Sequence, residues 1–443
     1  MRQCAACGVL GTTKRCACQG ALYCGEICQK QSWKEHKKKC TWSLELLLKN
    51  MRRKHGVDHA ICFKANFELG EIYIEHAQYE RAEAHFLEGR RIFKLHVGDD
   101  HAVLSESGRR LGQVYLSQEK YDEAGMELTK SVRVISTALQ GASEVHITSL
   151  FETGEGNAND VTFVLTNVDL AHTIGTLARV YSLEGNNDNC ENFKKTELLY
   201  LEALEIYRTV EVDGDDDVSQ TLCMLGSLYE TYPHDDDSKA LVCYAEALNL
   251  MRLPGKQPGS ALACTLVSCA GLCLHQENFD EALVYIEEGI GILRGIHREK
   301  HPLVSCALLR LAEIYQGMGK TNESLRVFHK IVKTRVLMYG PDHGGVASCL
   351  QSIAHIHLTR GEGNLALVHF DKAQTIMIRM LGTEHWDVAT GYFHIGWCKE
   401  VVFDIEGACR AYTQAHTIYS NMNTSPARER AICLSEYIRV LQR

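Results

Sequence analysis

The chain has no long apolar run. Nowhere among its 443 residues do eighteen or so uncharged apolar residues stand together, which excludes a membrane-spanning helix of the usual length. The opening "MRQCAACGVL" likewise offers no apolar core for a secretory signal. Low-complexity tracts are missing too, and a composition of 45% hydrophobic and 23% charged residues is that of a folded globular chain. No Gly-Lys-Ser/Thr follows the glycine-rich "GEGN" at 154–157, so a phosphate-cradling loop has no support. No Ser/His/Asp or Cys/His arrangement stands out along the sequence. An odd cysteine count, 19, without a secretory signal argues against a disulfide framework, because reducing compartments keep thiols free. The expectation is an intracellular, non-membrane protein in which scattered cysteines such as Cys264, Cys306 and Cys349 serve as small core residues.

Charge is unevenly spread. The formal net charge is −9, yet residues 1–43 hold eight Lys/Arg against two acids. The remainder is therefore strongly acidic, which opposes nonspecific binding to a phosphate backbone. Lys30, Lys34, Lys37, Lys38 and Lys39 read as a solvated helix face.

The first 40 residues contain seven of the 19 cysteines. With His36 they make eight ligand-type residues: Cys4, Cys7, Cys16, Cys18, Cys24, Cys28, His36 and Cys40. Zinc takes four sulfur or nitrogen ligands in a tetrahedron, so eight suit two closed structural sites. Cys4 and Cys7 can clasp an ion from a tight turn, whereas Cys24/Cys28 and His36/Cys40 are i,i+4 pairs on one face of a helix. A segment this short buries little apolar surface, so metal binding supplies most of its folding free energy.

The string Cys-x2-Cys, Cys-x-Cys, then "YCGEICQKQSWKEHKKKC" resembles the MYND zinc finger at Tyr23-Cys24, Cys28-Gln29, Trp33, His36-Lys37 and Cys40. That resemblance implies interleaved ligands, with Cys4, Cys7, Cys24 and Cys28 on one zinc and Cys16, Cys18, His36 and Cys40 on the other. It also implies a protein-interaction module. Fingers of this type that grip short proline-containing peptides use the residues corresponding to Gln29 and Trp33. The plainer reading has Trp33 packing the minidomain and Gln29 capping a helix.

After "SLELLLKNMRRKHGVDH", expected to be a connecting helix over 44–58, the rest of the chain repeats itself. Gly70, Tyr73, Tyr79 and Ala82 recur 42 residues later as Gly112, Tyr115, Tyr121 and Ala124. Ala282, Ser324, Ala366 and Ala408 share that step, as do Cys273, Tyr315 and His357. About eight units start near 59, 101, 166, 216, 259, 301, 344 and 386, fill 59–426, and leave 427–443 as a capping helix. Within one unit, Leu308, Leu311, Ala312 and Tyr315, then Leu325, Phe328, Ile331 and Val332, fall at helical spacing on either side of "GMGK". Each unit is thus a pair of antiparallel helices, with the small residue of the 282/324/366/408 series placed where the second helix crosses the first. "GASEVHITSLFETGEGNANDVTF", "EGNNDNCENFKK", "EVDGDDD" and "HDDDS" are expected to project as loops.

These features resemble the tetratricopeptide repeat, and "YGPDHGGVASCLQSIAHIH" (Tyr339 to His357) is similar to the kinesin-light-chain variety. The fold implied is mostly α: a small two-zinc finger followed by a right-handed solenoid. Kinesin-light-chain repeats carry a peptide-clamping asparagine where this chain has Leu309-Arg310 and Gln351-Ser352. His357 takes the Tyr315 place in the repeat, so the tempting trio His355, His357 and His369 reads as packing rather than metal ligation.

A finger joined directly to such repeats, together with "GTEHWDVATGYFHIG" (Gly382 to Gly396), resembles a group of ciliary and flagellar proteins associated with axonemal dynein. The function implied is a non-catalytic adaptor whose partners are proteins, another repeat protein or an axonemal dynein component, with no small-molecule substrate, nucleic acid or membrane. A corepressor-type adaptor acting through Gln29 and Trp33 is the alternative. A MYND-containing lysine methyltransferase would need a β-rich catalytic domain and an Asn-His-Ser-Cys-like segment, neither of which is found.

Overall fold

The structure, a computed structural model, describes residues 14–15, 22–23, 41–59, 61–97, 104–139, 144–149, 161–184, 190–210, 215–231, 237–297, 299–422 and 425–441. The chain divides into two compact units, Met1–Ala247 and Leu248–Arg443.

In the first unit, β1 (Lys14–Arg15) and β2 (Leu22–Tyr23) form an antiparallel ladder, Lys14 opposite Tyr23 and Arg15 opposite Leu22. Helix α1 (Thr41–His55) then leans on α2 (Ile61–Glu75), which pairs with α3 (Tyr79–Val97). Helices α4 (Leu104–Ser117) and α5 (Tyr121–Leu139) form the next pair, and α6 (Asn167–Glu184) and α7 (Cys190–Thr209) another. Helices α8 (Asp215–Thr231) and α9 (Asp237–Met251) follow. The second unit stacks α10 (Ser260–His275) with α11 (Phe279–Ile296), and α12 (Pro302–Gly317) with α13 (Thr321–Tyr339). Two more pairs come next, α14 (Gly344–Thr359) with α15 (Gly363–Leu381) and α16 (Trp386–Val401) with α17 (Ile405–Asn421), closed by α18 (Ser425–Leu441) on α17.

The mostly α, solenoid-type reading holds, and its physical basis is a size rule. Ala82, Ala124, Ala282, Ser324, Ala366 and Ala408 are all fully buried, and the Ser324 hydroxyl donates to the Ala312 carbonyl at 2.7 Å across the pair. Opposite them a second small position on the first helix accepts a large ring or branched chain. A Cβ added at Gly70 would meet the Phe86 ring at 2.7 Å, at Gly112 the Leu128 Cγ at 2.5 Å, at Gly226 the Tyr244 ring at 2.8 Å, and at Gly396 the Tyr412 ring at 2.6 Å. Close-packed interiors leave no slack for that atom.

Turns and caps recur in the same register. The loop between the two helices of a unit passes through the left-handed region at Ala77, Glu119, Glu277, Gly319, Gly361 and Phe403. A bulky residue there is unusual, and Phe403 is 89% exposed. At the start of the first helix in four of the units, histidine does the capping. His301, His343 and His385 accept from the backbone N–H groups of Leu303, Gly345 and Asp387 at 3.3, 3.0 and 3.2 Å. His59 does the same for Ile61 at 3.2 Å. Each satisfies one of the donors that a helix start leaves open.

Three expectations need correction. Of the segments expected to project as loops, "CENFKK", the "DDD" of "EVDGDDD" and the "DS" of "HDDDS" are instead the first residues of α7, α8 and α9. The first insertion is not simply loop: β3 (Glu144–Ser149) and β4 (Val161–Thr166) form an antiparallel ladder, because "EVHITS" and "VTFVLT" are rich in β-branched residues and lack the helical period. Thr166 then caps α6, with the Asp169 carboxylate accepting from its N–H at 3.0 Å and its hydroxyl at 2.9 Å. Cys349 is buried as read, but Cys264 and Cys306, one repeat step apart, are exposed on the outward register of α10 and α12.

Candidate functional site

All eight expected zinc ligands, Cys4, Cys7, Cys16, Cys18, Cys24, Cys28, His36 and Cys40, and the peptide-binding candidates Gln29 and Trp33 lie outside the described residues. Their donor chemistry, seven thiols and one imidazole, fits zinc. The histidine trio does not converge. His357 pairs with the Glu362 carboxylate at 2.5 Å and stacks on His369 at 5.6 Å, while His355 turns to Phe370 and His394. Among the described residues no group of three His, Cys, Asp or Glu side chains could hold a metal ion. Elsewhere thiols such as Cys243 and Cys273 are pushed up to about 11 by burial, which leaves them protonated and inert.

A concavity rich in recognition chemistry lies in the second unit, at α16–α18. A groove of about 820 Å³ opens between α16 and α18 over α17. Helix α16 supplies Phe393 and Trp397, one turn apart on one face, and α18 supplies Tyr437; the three are 39%, 43% and 41% exposed. Tyr412 from α17 forms the floor, its ring centroid 5.6 Å from those of both Phe393 and Tyr437. The Glu400 carboxylate ties the wall together by accepting from the Tyr412 hydroxyl at 3.0 Å and the Tyr437 hydroxyl at 2.7 Å. Burial and that carboxylate raise the Tyr412 phenol, and Tyr437's own hydrogen bond to Glu400, with burial adding to it, raises Tyr437. Both stay neutral donors.

At one end of the groove Tyr419 and Thr390 share a hydroxyl hydrogen bond of 2.8 Å, and the Arg430 guanidinium lies over the Trp386 ring at 4.6 Å. At the other, His394 stacks on Phe370 at 5.4 Å and meets His355 edge-on at 4.5 Å. Burial, with His355 and Arg430 adding to it, pushes His394 down to about 4, so it is a neutral ring at pH 7. With Glu400 held by two hydroxyls and His394 uncharged, the groove is equipped to cover apolar and aromatic side chains. Exposed, rigid aromatics of this kind are what protein-binding surfaces use as anchors.

Sequence reasoning missed this site because α18 lies outside the repeat and Tyr437 is far along the chain from Trp397. The aromatic i,i+4 pair Phe393/Trp397 was the available signal.

Comparison with known proteins agrees with this architecture. The MYND finger model matches residues 4–40, and tetratricopeptide repeat models match 261–335 and 346–387. The chain carries a MYND finger and tetratricopeptide repeats. No curated protein matches it. Among solved structures, BtubC (BKLC) from P. vanneervenii is 18% identical, with 53% of this chain and 93% of that chain covered at a TM-score of 0.46. A Podosopora anserina putative kinesin light chain with nearly identical TPR-like repeats is 14% identical, covering 49% and 100% at a TM-score of 0.43. The apo form of the quorum sensor NprR from B. thuringiensis is 12% identical, covering 79% and 85% at a TM-score of 0.53. At such identities the likeness concerns the fold alone. The TPR architecture supports protein interaction, and no enzymatic family is indicated.

Proposed function

We propose that this MYND-TPR protein is a non-catalytic scaffold that holds a partner protein through the aromatic groove of α16–α18. The observation that carries the reading is the wall of Phe393, Trp397 and Tyr437, three partly exposed rings, with Tyr412 packed against Phe393 and Tyr437 and Glu400 hydrogen-bonded to both tyrosines. The partner assigned is a component of the ciliary or flagellar axoneme, another repeat protein or a dynein-associated subunit. What supports it is the sequence resemblance of Gly382–Gly396, the stretch that contributes Thr390, Phe393 and His394 to the groove. The finger is proposed to hold two structural zinc ions, Cys4, Cys7, Cys24 and Cys28 on one and Cys16, Cys18, His36 and Cys40 on the other, with Gln29 and Trp33 available to a proline-containing peptide.

Affinity purification of the tagged chain from ciliated cells, beside W397A/Y437A and Q29A/W33A variants, tests this. Axonemal proteins are expected with the wild type and the finger variant and lost with the groove variant. Capture that survives W397A/Y437A but vanishes with Q29A/W33A would instead favour the corepressor-type reading. Recovery of no axonemal component with any form would sink the ciliary assignment.

A further inference from the structure

A second groove, in the first unit, has the opposite character. Helix α1 turns Leu44, Leu48 and Met51 inward against the core of Cys62, Phe63, Leu69, Tyr73 and Phe86, and only Leu48 is fully shut in, at 4% exposure. That stripe, one residue per turn, sets the opposite register: Lys49, Arg52 and Arg53 fall along one edge of the helix. Between this edge and α3 lies a groove of about 530 Å³, lined by Glu45, Leu48, Lys49, Arg52, Arg53, Val57 and His85.

Its charges are not balanced internally. Helix α1 carries Lys49, Arg52, Arg53 and Lys54 against a single acid, Glu45, in a chain whose net charge is −9. Glu45 is already the acceptor for the Tyr73 hydroxyl. The Arg52 guanidinium reaches Glu88 only at 3.5 Å, and its Nε is buried with no acceptor among the described residues. Lys49 and Arg53 are exposed, and neither has an ion pair among the described residues. His85, which meets Asn66 Oδ1 at 3.0 Å, is pushed down by burial and adds no charge.

Favourable placement of cations at the end of a helix accounts for Arg52, Arg53 and Lys54, basic residues of the last turn. It does not account for Lys49, near the middle of α1, or for an arginine Nε left without an acceptor, since buried donors of that kind are costly unless paired. A carboxylate entering the groove would meet the guanidinium fork and the flanking lysine. The 55% exposed Val57, which lines the groove with the edge of buried Leu48, offers an apolar contact beside it.

We propose that the α1 groove docks an acidic, leucine-bearing peptide segment of a partner protein. Charge complementarity selects the occupant: the groove is cationic with an apolar floor, while the chain as a whole is acidic and repels an extended polyanion such as nucleic acid.

The test uses the full chain loaded with zinc and a fluorescein-labelled peptide of repeated Glu-Glu-Leu, read by anisotropy. A Gln-Gln-Leu peptide and oligothymidylate of equal charge serve as comparisons. Expected are binding of the acidic peptide only, about tenfold weakening by K49Q/R53Q, whose side chains are exposed and outside the core, and further weakening as salt rises from about 50 to 200 mM. Equal binding by wild type and K49Q/R53Q overturns the proposal, as does tighter binding of oligothymidylate, which would make the surface a phosphate reader. W397A is expected to leave this binding unchanged, so failure here and failure of the aromatic-groove reading are separable.

Discussion

Replacing Gly396 by alanine places a methyl group 2.6 Å from Tyr412 Cε1 and 2.7 Å from Cδ1. Ordinary carbon contacts are about 3.5–4.0 Å, so the ring must retreat by about 1 Å. It has nowhere to go. Tyr412 is 2% exposed, its hydroxyl is held by Glu400 at 3.0 Å, and the Phe393 and Tyr437 rings lie on either side. Overpacking of this kind costs about 1–3 kcal/mol, against about 1 kcal/mol returned by the better helix propensity of alanine. The expected net effect of G396A is destabilisation by about 1 kcal/mol, with the groove floor displaced. Gly291 in α11 is the control, since an added Cβ there meets nothing within 4 Å, and G291A should stabilise by about 0.4–1 kcal/mol. Neighbouring repeats couple mainly to each other, so the assay is urea denaturation combined with hydrogen exchange of α16–α18. The double variant G396A/Y412I recreates the alanine and isoleucine that occupy the same two places at Ala270 and Ile286, both buried, and should recover most of the loss. G396A as stable as G291A, or a loss undiminished in the double variant, would refute the small-against-large account of helix pairing.

Burial holds His369 and His394 down to about 4 from an ordinary 6.5, with His357, His329 and Lys372 adding to the first and His355 and Arg430 to the second. The unfolded chain therefore binds more protons between about pH 6.5 and 4, so stability complete above that window is lost progressively as pH falls through it. H394F should flatten part of the slope in thermal melts; a flat wild-type profile contradicts it. H343A removes the acceptor for the Gly345 N–H and should cost about 1 kcal/mol, whereas H343N should retain most of it, both by urea midpoint. Chelation should release two zinc ions per chain by mass while leaving far-UV helicity nearly unchanged, since the repeats hold no metal cluster among their described residues. Loss of most helicity on chelation would show that the repeats depend on the finger.

The repeating architecture could be read from the chain because it is local. A step of 42 residues carries the small position of the 282/324/366/408 series, and apolar spacing at Leu308–Tyr315 and Leu325–Val332 sets which face each helix buries. Both depend on neighbours within one helix pair, where sequence order and spatial order coincide. The thiol and imidazole spacing of residues 4–40 is local in the same sense. The histidine caps were equally present in the sequence, at 301, 343 and 385, but their role depends on one ring nitrogen reaching a backbone N–H, which periodicity does not reveal.

What only the tertiary structure decided is how positions outside that period meet it. Helix α18 is not a repeat, so no pattern announces that Tyr437 closes a groove with Trp397 or that Glu400 braces both tyrosines. The unmet Nε of Arg52 is a property of how α1 rests against the first pair. Sites of this kind are made by long-range packing of side chains that share no spacing rule, and the chain has to fold before they exist.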